Sequence, residues 1–273
     1  MSARHAPIRH APIRRGLRLL GHYARFNLGA GMEYRASFIA QVLGMALNNS
    51  AFIVFWLILY DQLGAINGYK FTDVMFLWAL SAAGYGLAGI FLGNAGFLSR
   101  SIYTAELDVY LLQPKPVLSN FLLSRMSISA WGDLAYGVIL FAFTQSLSPG
   151  RAALFVVFSL LMALVLTSVR VFYHSLTFFL GNAEEFAGTA SEMMLSFATY
   201  PGSIFKGPTS ILLHSLIPAA LIVYIPVSLF QAFDLKRMLL LLAADAAVVL
   251  AAWSIFRLGL RAYESGNRMG TRL

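Results

Sequence analysis

Five carboxylates and a few cations stand inside otherwise apolar stretches, where a charged side chain calls for a function or a partner. Glu184, Glu185 and Glu192 recur at helical spacing and fall on one helix face. They suit either the lining of a hydrophilic vestibule or a face turned to cytoplasmic water. Asp245 lies about seven residues into the last apolar run, roughly 10 Å deep at the rise of a helix, and needs a partner, water or a proton there. Arg170 is long enough to snorkel to a boundary, with His174 one turn later on the same face, and Asp133 falls close to a boundary. Catalytic chemistry is poorly represented. His174 and His214 have no carboxylates at metal-binding spacing, and no Gly-x-Ser-x-Gly elbow occurs. There is no Gly-x-x-x-x-Gly-Lys-Ser/Thr phosphate loop, so the chain does not hydrolyse ATP in that manner. Cysteine is absent, which excludes disulfides and thiolate metal or redox chemistry.

The elements that must position these residues are set by composition. Of 273 residues, 59% are hydrophobic and 12% charged, against about 25% charged in an average soluble chain. Lipid must therefore cover part of the surface. Long apolar runs follow one another at about 36–60, 73–94, 128–147, 152–180 and 238–258, each near the length that crosses roughly 30 Å of hydrocarbon. Ser148, Pro149 and Gly150 read as a tight turn between the third and fourth. Residues 183–233 admit two readings. In one, 183–205 is a polar-faced fifth span and the proline-broken stretch after it dips into the membrane and returns. In the other, 183–205 lies on the inner surface and 209–230 is the fifth span. Broken helices at membrane depth need protein or water around them. Both readings give six spans.

Basic residues orient the chain. Seven arginines precede the first span and four follow the last; with Arg100, Lys115 and Arg125 they give fourteen positive charges on one side against five on the other. The positive-inside rule places both termini in the cytoplasm, and such clusters beside apolar spans favour anionic lipid over nucleic acid. Residues 1–13 repeat a His-Ala-Pro-Ile-Arg unit whose prolines forbid a continuous helix, so they read as a disordered basic tail. Residues 14–30 then become amphipathic. Arg14, Arg18, His22 and Arg25 form one basic stripe opposite Leu19, Leu20, Tyr23 and Phe26, the pattern of a helix lying in the interface. Gly29 and Gly31 allow a bend into the first span.

The connection from Ala95 to Ser127 is cytoplasmic and patterned. Ile102, Ala105, Val109 and Leu112 recur at helical spacing, Glu106 and Asp108 decorate the sides, and Pro114 and Pro116 end the helix. Such a helix either lies in the interface or docks a cytoplasmic partner.

The stretch Glu106-Leu107-Asp108-Val109-Tyr110-Leu111-Leu112-Gln113-Pro114 resembles a signature that follows the second span of bacterial type-2 ABC exporter permeases. Glu33-Tyr34-Arg35 is similar to that group's start. Tyr200-Pro201-x-x-Ile204-Phe205, Ile217-Pro218 and Tyr224-Ile225-Pro226 resemble its later motifs, so the likeness covers residues 30–262. Ala105 departs from it, since a glycine is expected before the acidic-Leu-Asp run.

The resemblance implies an all-α integral membrane protein of six transmembrane helices. It adds a coupling helix seated in an ATPase, an N-terminal interfacial helix that braces it, and re-entrant helices before the last span, around Tyr200, Pro201, Pro218, Tyr224 and Pro226. Residues 31–273 are expected to form one permease domain. The implied partners are a cytoplasmic ABC ATPase dimer carrying ATP and Mg, a second permease subunit, identical or related, and membrane lipid. This chain itself is expected to hold no cofactor. The expected location is a bacterial cytoplasmic (inner) membrane, and the expected task is outward movement of an amphipathic, lipid-like, peptide or antibiotic substrate. A membrane-embedded enzyme or scaffold and a secondary transporter are the alternatives; the latter is expected to show paired inverted halves.

Overall fold

Apolar runs with no strand-like alternation fold as helices because a backbone in lipid must satisfy its own hydrogen bonds. The computed structural model describes residues 12–64, 70–145, 147–200 and 220–263, and among them every regular element is helical. Helix α1 (Pro12–Gly31) begins on a proline, whose missing N–H is no loss in a first turn. A 3-10 turn at Met32–Tyr34, just past Gly31, separates it from α2 (Arg35–Leu63). Helix α3 (Phe71–Leu92) opens on a cap in which the Lys70 N–H donates to Asp73 Oδ2 at 2.9 Å. The connection holds α4 (Leu98–Tyr103), α5 (Asp108–Leu111) and α6 (Val117–Leu123). Then come α7 (Ala130–Thr144), α8 (Pro149–Ser175), α9 (Thr177–Leu180) and α10 (Glu184–Ala198). A π-helical turn at Ala220–Tyr224 leads into α11 (Ile225–Gln231), and α12 (Leu235–Ala262) closes the described chain.

Among the described residues four segments are long and apolar enough to cross a membrane: Arg18–Gln62, Phe71–Tyr103, Pro149–Leu180 and Leu235–Ala262. Shorter apolar helices occupy Ala130–Thr144 and Leu221–Gln231. The protein is an all-α membrane protein. Its outer wall is visible in α2, where Ile39, Leu43, Leu47, Val54 and Ile58 are all exposed, as lipid-facing side chains must be.

The centre of the bundle is α3, buried along most of its length and packed chiefly on α7 and α8. Two glycines permit that approach. A Cβ at Gly137 would lie 2.6 Å from both Ala79 O and Ala83 N, and one at Gly86 would lie 2.6 Å from Leu134 N. Backbone meets backbone there, which is how small residues hold helices together where lipid supplies no hydrophobic drive.

Several boundaries differ from the sequence-based expectation. The third helix starts at Ala130 and ends at Thr144, and the fourth starts at Pro149, three residues early. Ser148 is its N-cap, accepting from Arg151 N at 3.3 Å, with Pro149 in the first turn. The Ser-Pro-Gly signal is thus a helix start as well as a turn.

The two ends of the bundle are built differently. At one, here the base, Leu98, Ile102, Leu107 and Phe121 from the connection pack with Val171, Ala252 and Phe256. At the far end Phe76 stacks on Phe230 and Phe141 on Phe155, both at 4.2 Å, and Gln231 Nε2 donates to Asp73 Oδ1 at 2.9 Å. Helix α10 runs between the two ends alongside α8. Beyond its last turn Tyr200 meets Trp56 of α2 at 5.9 Å, and the Tyr224 hydroxyl donates to Phe197 O at 2.6 Å. Residues 201–219, the stretch on which the two readings of residues 183–233 differ, lie outside the described residues. Pro201 and Pro218 lie outside the described residues; Tyr224 sits in the π turn and Pro226 in the first turn of α11.

Candidate functional site

The patterned connection does not form one amphipathic helix. Ala105 adopts φ +63° and breaks the run into α4 and α5. A left-handed residue just after a helix closes its open carbonyls: Ala105 N–H donates to Ile102 O at 3.3 Å and Leu107 N–H to Ser101 O at 3.0 Å. The expected stripe of Ile102, Ala105, Val109 and Leu112 is therefore divided. Ile102 and Leu107 are fully buried in the base core, whereas Val109 is 60% and Leu112 87% exposed. Helical spacing misleads here because it assumes the helix continues through the turn. The same turn explains why a glycine is expected at this position.

Replacing Ala105 by glycine should therefore stabilise the protein. A left-handed conformation costs a Cβ-bearing residue about 1–2 kcal/mol, and glycine's extra unfolded-state freedom returns roughly 0.5–1 kcal/mol of that. A small rise in the unfolding temperature of detergent-purified A105G is expected; a fall would contradict the turn's geometry.

What remains is a short projecting segment held from behind. Leu107 anchors it in the core. Glu106, exposed, accepts from Ser101 Oγ at 3.2 Å. Asp108 Oδ1 accepts from the Tyr263 hydroxyl at 2.8 Å, which ties α5 to the end of α12. Tyr110 bonds Ser124 at 2.9 Å and packs edge-on against Phe121. Beyond Leu112, Gln113 Oε1 accepts from Asn120 Nδ2 at 2.9 Å, and the buried Asn120 accepts from the Tyr23 hydroxyl of α1. Asn27 Nδ2 donates to Leu123 O at 3.0 Å. Helix α1 thus grips α6 and reaches the projecting segment through one asparagine. Arg18 and Arg25 are exposed and His22 is exposed, while the Arg14 side chain lies outside the described residues. Pro114 is exposed in the turn after α5. A groove of about 630 Å³ runs beside the segment, lined by Arg100, Glu106, Val109, Tyr110 and Arg125.

The Tyr263–Asp108 tie carries a pH signature. Burial first, then the Asp108 carboxylate, raise the Tyr263 phenol above its ordinary value. A raised folded-state value means the contribution is full below the unfolded tyrosine value of about 10 and is lost only as pH rises through the folded one. Tyr263→Phe should cost about 1–2 kcal/mol, with a gap from wild type that stays constant between roughly pH 6 and 9. Denaturant titrations at both ends of that window check it.

The acidic candidates separate into two groups. Glu184, Glu185 and Glu192 line one cavity of about 520 Å³ with His174 and Gly96 at the base of the bundle. Arg170 turns into this region, 3.9 Å from Glu192 and with its guanidinium 5.1 Å from the Tyr85 ring centre. The arginine thus has an exposed acidic partner and an aromatic face, which its sequence position alone did not reveal. His174 is fixed by Ser99, whose hydroxyl lies 2.8 Å from Nδ1 and is itself bonded by Thr177. No group of three or more His, Asp or Glu able to hold a metal occurs among the described residues. Asp245 stands apart on α12. It is 2% exposed and neither carboxylate oxygen has a hydrogen-bond partner among the described residues. Since α12 starts at Leu235, it lies about 15 Å along that helix, deeper than the apolar run suggests.

A helical membrane bundle with a projecting, internally braced connection after its second long helix is a transporter-like arrangement. The profile of the family described as ABC-2 family transporter protein matches residues 46–267, most of the chain. The chain belongs to the ABC-2 transporter family. It is accordingly a membrane permease subunit of an ABC transporter, a transport component and not an enzyme. Neither the curated proteins nor the solved structures compared with it give a match. The match to the ABC-2 family takes in the projecting segment, the glutamate cavity and Asp245, and starts after α1.

Asp133 shows what spacing missed. It sits in the first turn of α7, near the expected boundary, but it is bonded to Asn49, fourteen residues along α2, with Asn49 Nδ2 donating to Asp133 Oδ1 at 2.7 Å. The available signal was the Asn48-Asn49 pair in the middle of the first apolar run.

Proposed function

We propose that this ABC-2 permease couples ATP hydrolysis by separate cytoplasmic ATPase subunits to outward movement of an amphipathic, lipid-like, peptide or antibiotic substrate. ATP and Mg are bound by the partner, and a second permease subunit, identical or related, completes the pathway. One observation carries the reading: two large apolar side chains, Val109 and Leu112, are exposed on a short helix and its C-cap, anchored in the core by Leu107 and tied to the last helix by Tyr263. Exposed apolar tips on a rigid mount suit a docking knob better than a loose interfacial helix, because movement of the mount is passed directly to α12. Helices α7 and α10 complete six crossings in this reading, α1 rests along the inner surface with its arginines at headgroups, and both termini are cytoplasmic in a bacterial inner membrane. In this reading α1, which starts at Pro12 and not at residue 14, is the interfacial helix, and the permease domain follows it.

The cysteine-free sequence makes the topology directly testable. Leu112→Cys and Leu147→Cys should label from opposite sides with a membrane-impermeant maleimide, Leu147→Cys from outside intact cells and Leu112→Cys only after lysis. Labelling of both from the outside would refute the orientation. Glu192→Gln, which removes the carboxylate facing Arg170, should lower transport-coupled ATP turnover several-fold while leaving the complex assembled; unchanged turnover would reduce the cavity to a solvated surface.

A further inference from the structure

A second cavity, of about 260 Å³, lies deeper in the bundle between α2, α3, α7 and α10. Its apolar wall includes Phe52, whose ring stacks on Trp78 at 4.6 Å. Its polar side is unusual. Asp133 is 4% exposed; Asn49 satisfies Oδ1 and leaves Oδ2 without a partner. Trp78 Nε1 and Ser81 Oγ, on residues more than nine-tenths buried, are unpartnered as well. Buried polar atoms are nearly always paired, and an unpaired carboxylate oxygen is the costliest kind to leave so. The residues that carry these three atoms all line one cavity, and together the atoms are complementary to one ligand. A carboxylate oxygen only accepts when ionised, an indole N–H only donates, and a hydroxyl does either. Arg170 does not supply the missing charge, since it is engaged with Glu192 and Tyr85.

We propose that this cavity binds the head of an amphipathic amine: a protonated nitrogen donates to Asp133 Oδ2, a neighbouring oxygen accepts from Trp78 Nε1, and Ser81 bonds either. The Phe52–Trp78 pair supplies an aromatic face for the cation and its apolar body. The volume sits just below the usual range for drug-sized ligands, so the site takes a head group and leaves the tail to the bundle or the lipid. The inference deepens the permease reading by naming a substrate class, and rests on it for that purpose; the binding itself needs no ATPase.

The test is equilibrium dialysis of 2-(benzylamino)ethanol against the full chain in nanodiscs, with empty nanodiscs subtracted. Its neutral isostere 2-(benzyloxy)ethanol replaces only the charged nitrogen. Saturable binding at one site per chain is expected for the amine, with the ether at least about tenfold weaker, because charge-assisted hydrogen bonds are the strong ones. Asp133→Asn should weaken the amine by a similar factor. Trp78→Phe and Ser81→Ala remove no existing side-chain hydrogen bond of those unpartnered atoms, so they decide the matter even if Asp133→Asn misfolds; each should lower affinity several-fold. Equal binding of amine and ether, unchanged affinity in both of those variants, or no saturable binding, as for a cavity that holds water only, would overturn the proposal. Such a failure leaves ATPase coupling untouched, whereas amine binding without any coupling would overturn the permease mechanism and spare the site.

Discussion

Leu112→Glu is expected to leave the membrane bundle folded and to abolish most of the ATP turnover that the permease draws from its ATPase. The side chain is 87% exposed and anchors nothing inside the protein, so its loss costs the fold almost nothing. Burying a leucine in a partner's cleft is worth about 1.5–3 kcal/mol, and apolar anchors at the centre of an interface carry much of its energy. A glutamate there forfeits that burial and adds a desolvated charge. Co-purification with the ATPase should fall by tenfold or more, and residual complex should hydrolyse ATP without transport. Leu107→Glu is the contrasting case. Leu107 is fully buried in the base core, and the same substitution there should unfold the base and remove the protein from the membrane fraction. Equal loss of protein in both variants would mean that the exposed tip is structural.

The second large effect falls on the α3–α7 contact. Gly137→Leu places a side chain where backbone atoms of Ala79 and Ala83 already lie within 2.6 Å of a Cβ. Helix backbones cannot yield as a flexible side chain does. Overpacking of this kind costs at least 1–3 kcal/mol, and here the two most extensively packed helices of the bundle would have to separate. The expected outcome is loss of a monodisperse peak on size exclusion and a fall in membrane yield. Gly44→Leu is the control, because nothing lies within 4 Å of a Cβ at that exposed position on α2. It should be close to neutral. A Gly137→Leu protein as stable as wild type would contradict the close approach.

The membrane fold was legible because it rests on composition: too little charge to face water and apolar runs of spanning length. The break after Gly31 and the polar-faced course of residues 184–198 were legible as local features too. What escaped was whatever depends on one residue's backbone or on distant partners. The stripe from Ile102 to Leu112 fails at Ala105, where a left-handed turn reverses which side chains face the core; periodicity carries no information about such a turn when the residue is not glycine. Tyr263 and Asp108 are 155 positions apart, and Asn49 and Asp133 are 84 apart. No spacing rule pairs residues so distant. Arg170 looked free to snorkel because its acidic partner, Glu192, belongs to another helix. Residues 106–114 project from the bundle, although as a four-residue helix after a turn and not as the long amphipathic helix their spacing suggests.

The proposed coupling requires that segment to meet an ATP-binding subunit. A photo-crosslinking amino acid placed at Leu112, with a matched one at Leu147 on the far end, tests it in the membrane of cells that produce the whole complex. A crosslink from position 112 to the ATPase subunit is expected, its yield changed by trapping the nucleotide, and none from position 147. A position 112 that crosslinks only to lipid, while the ATPase remains bound elsewhere on the permease, would contradict it.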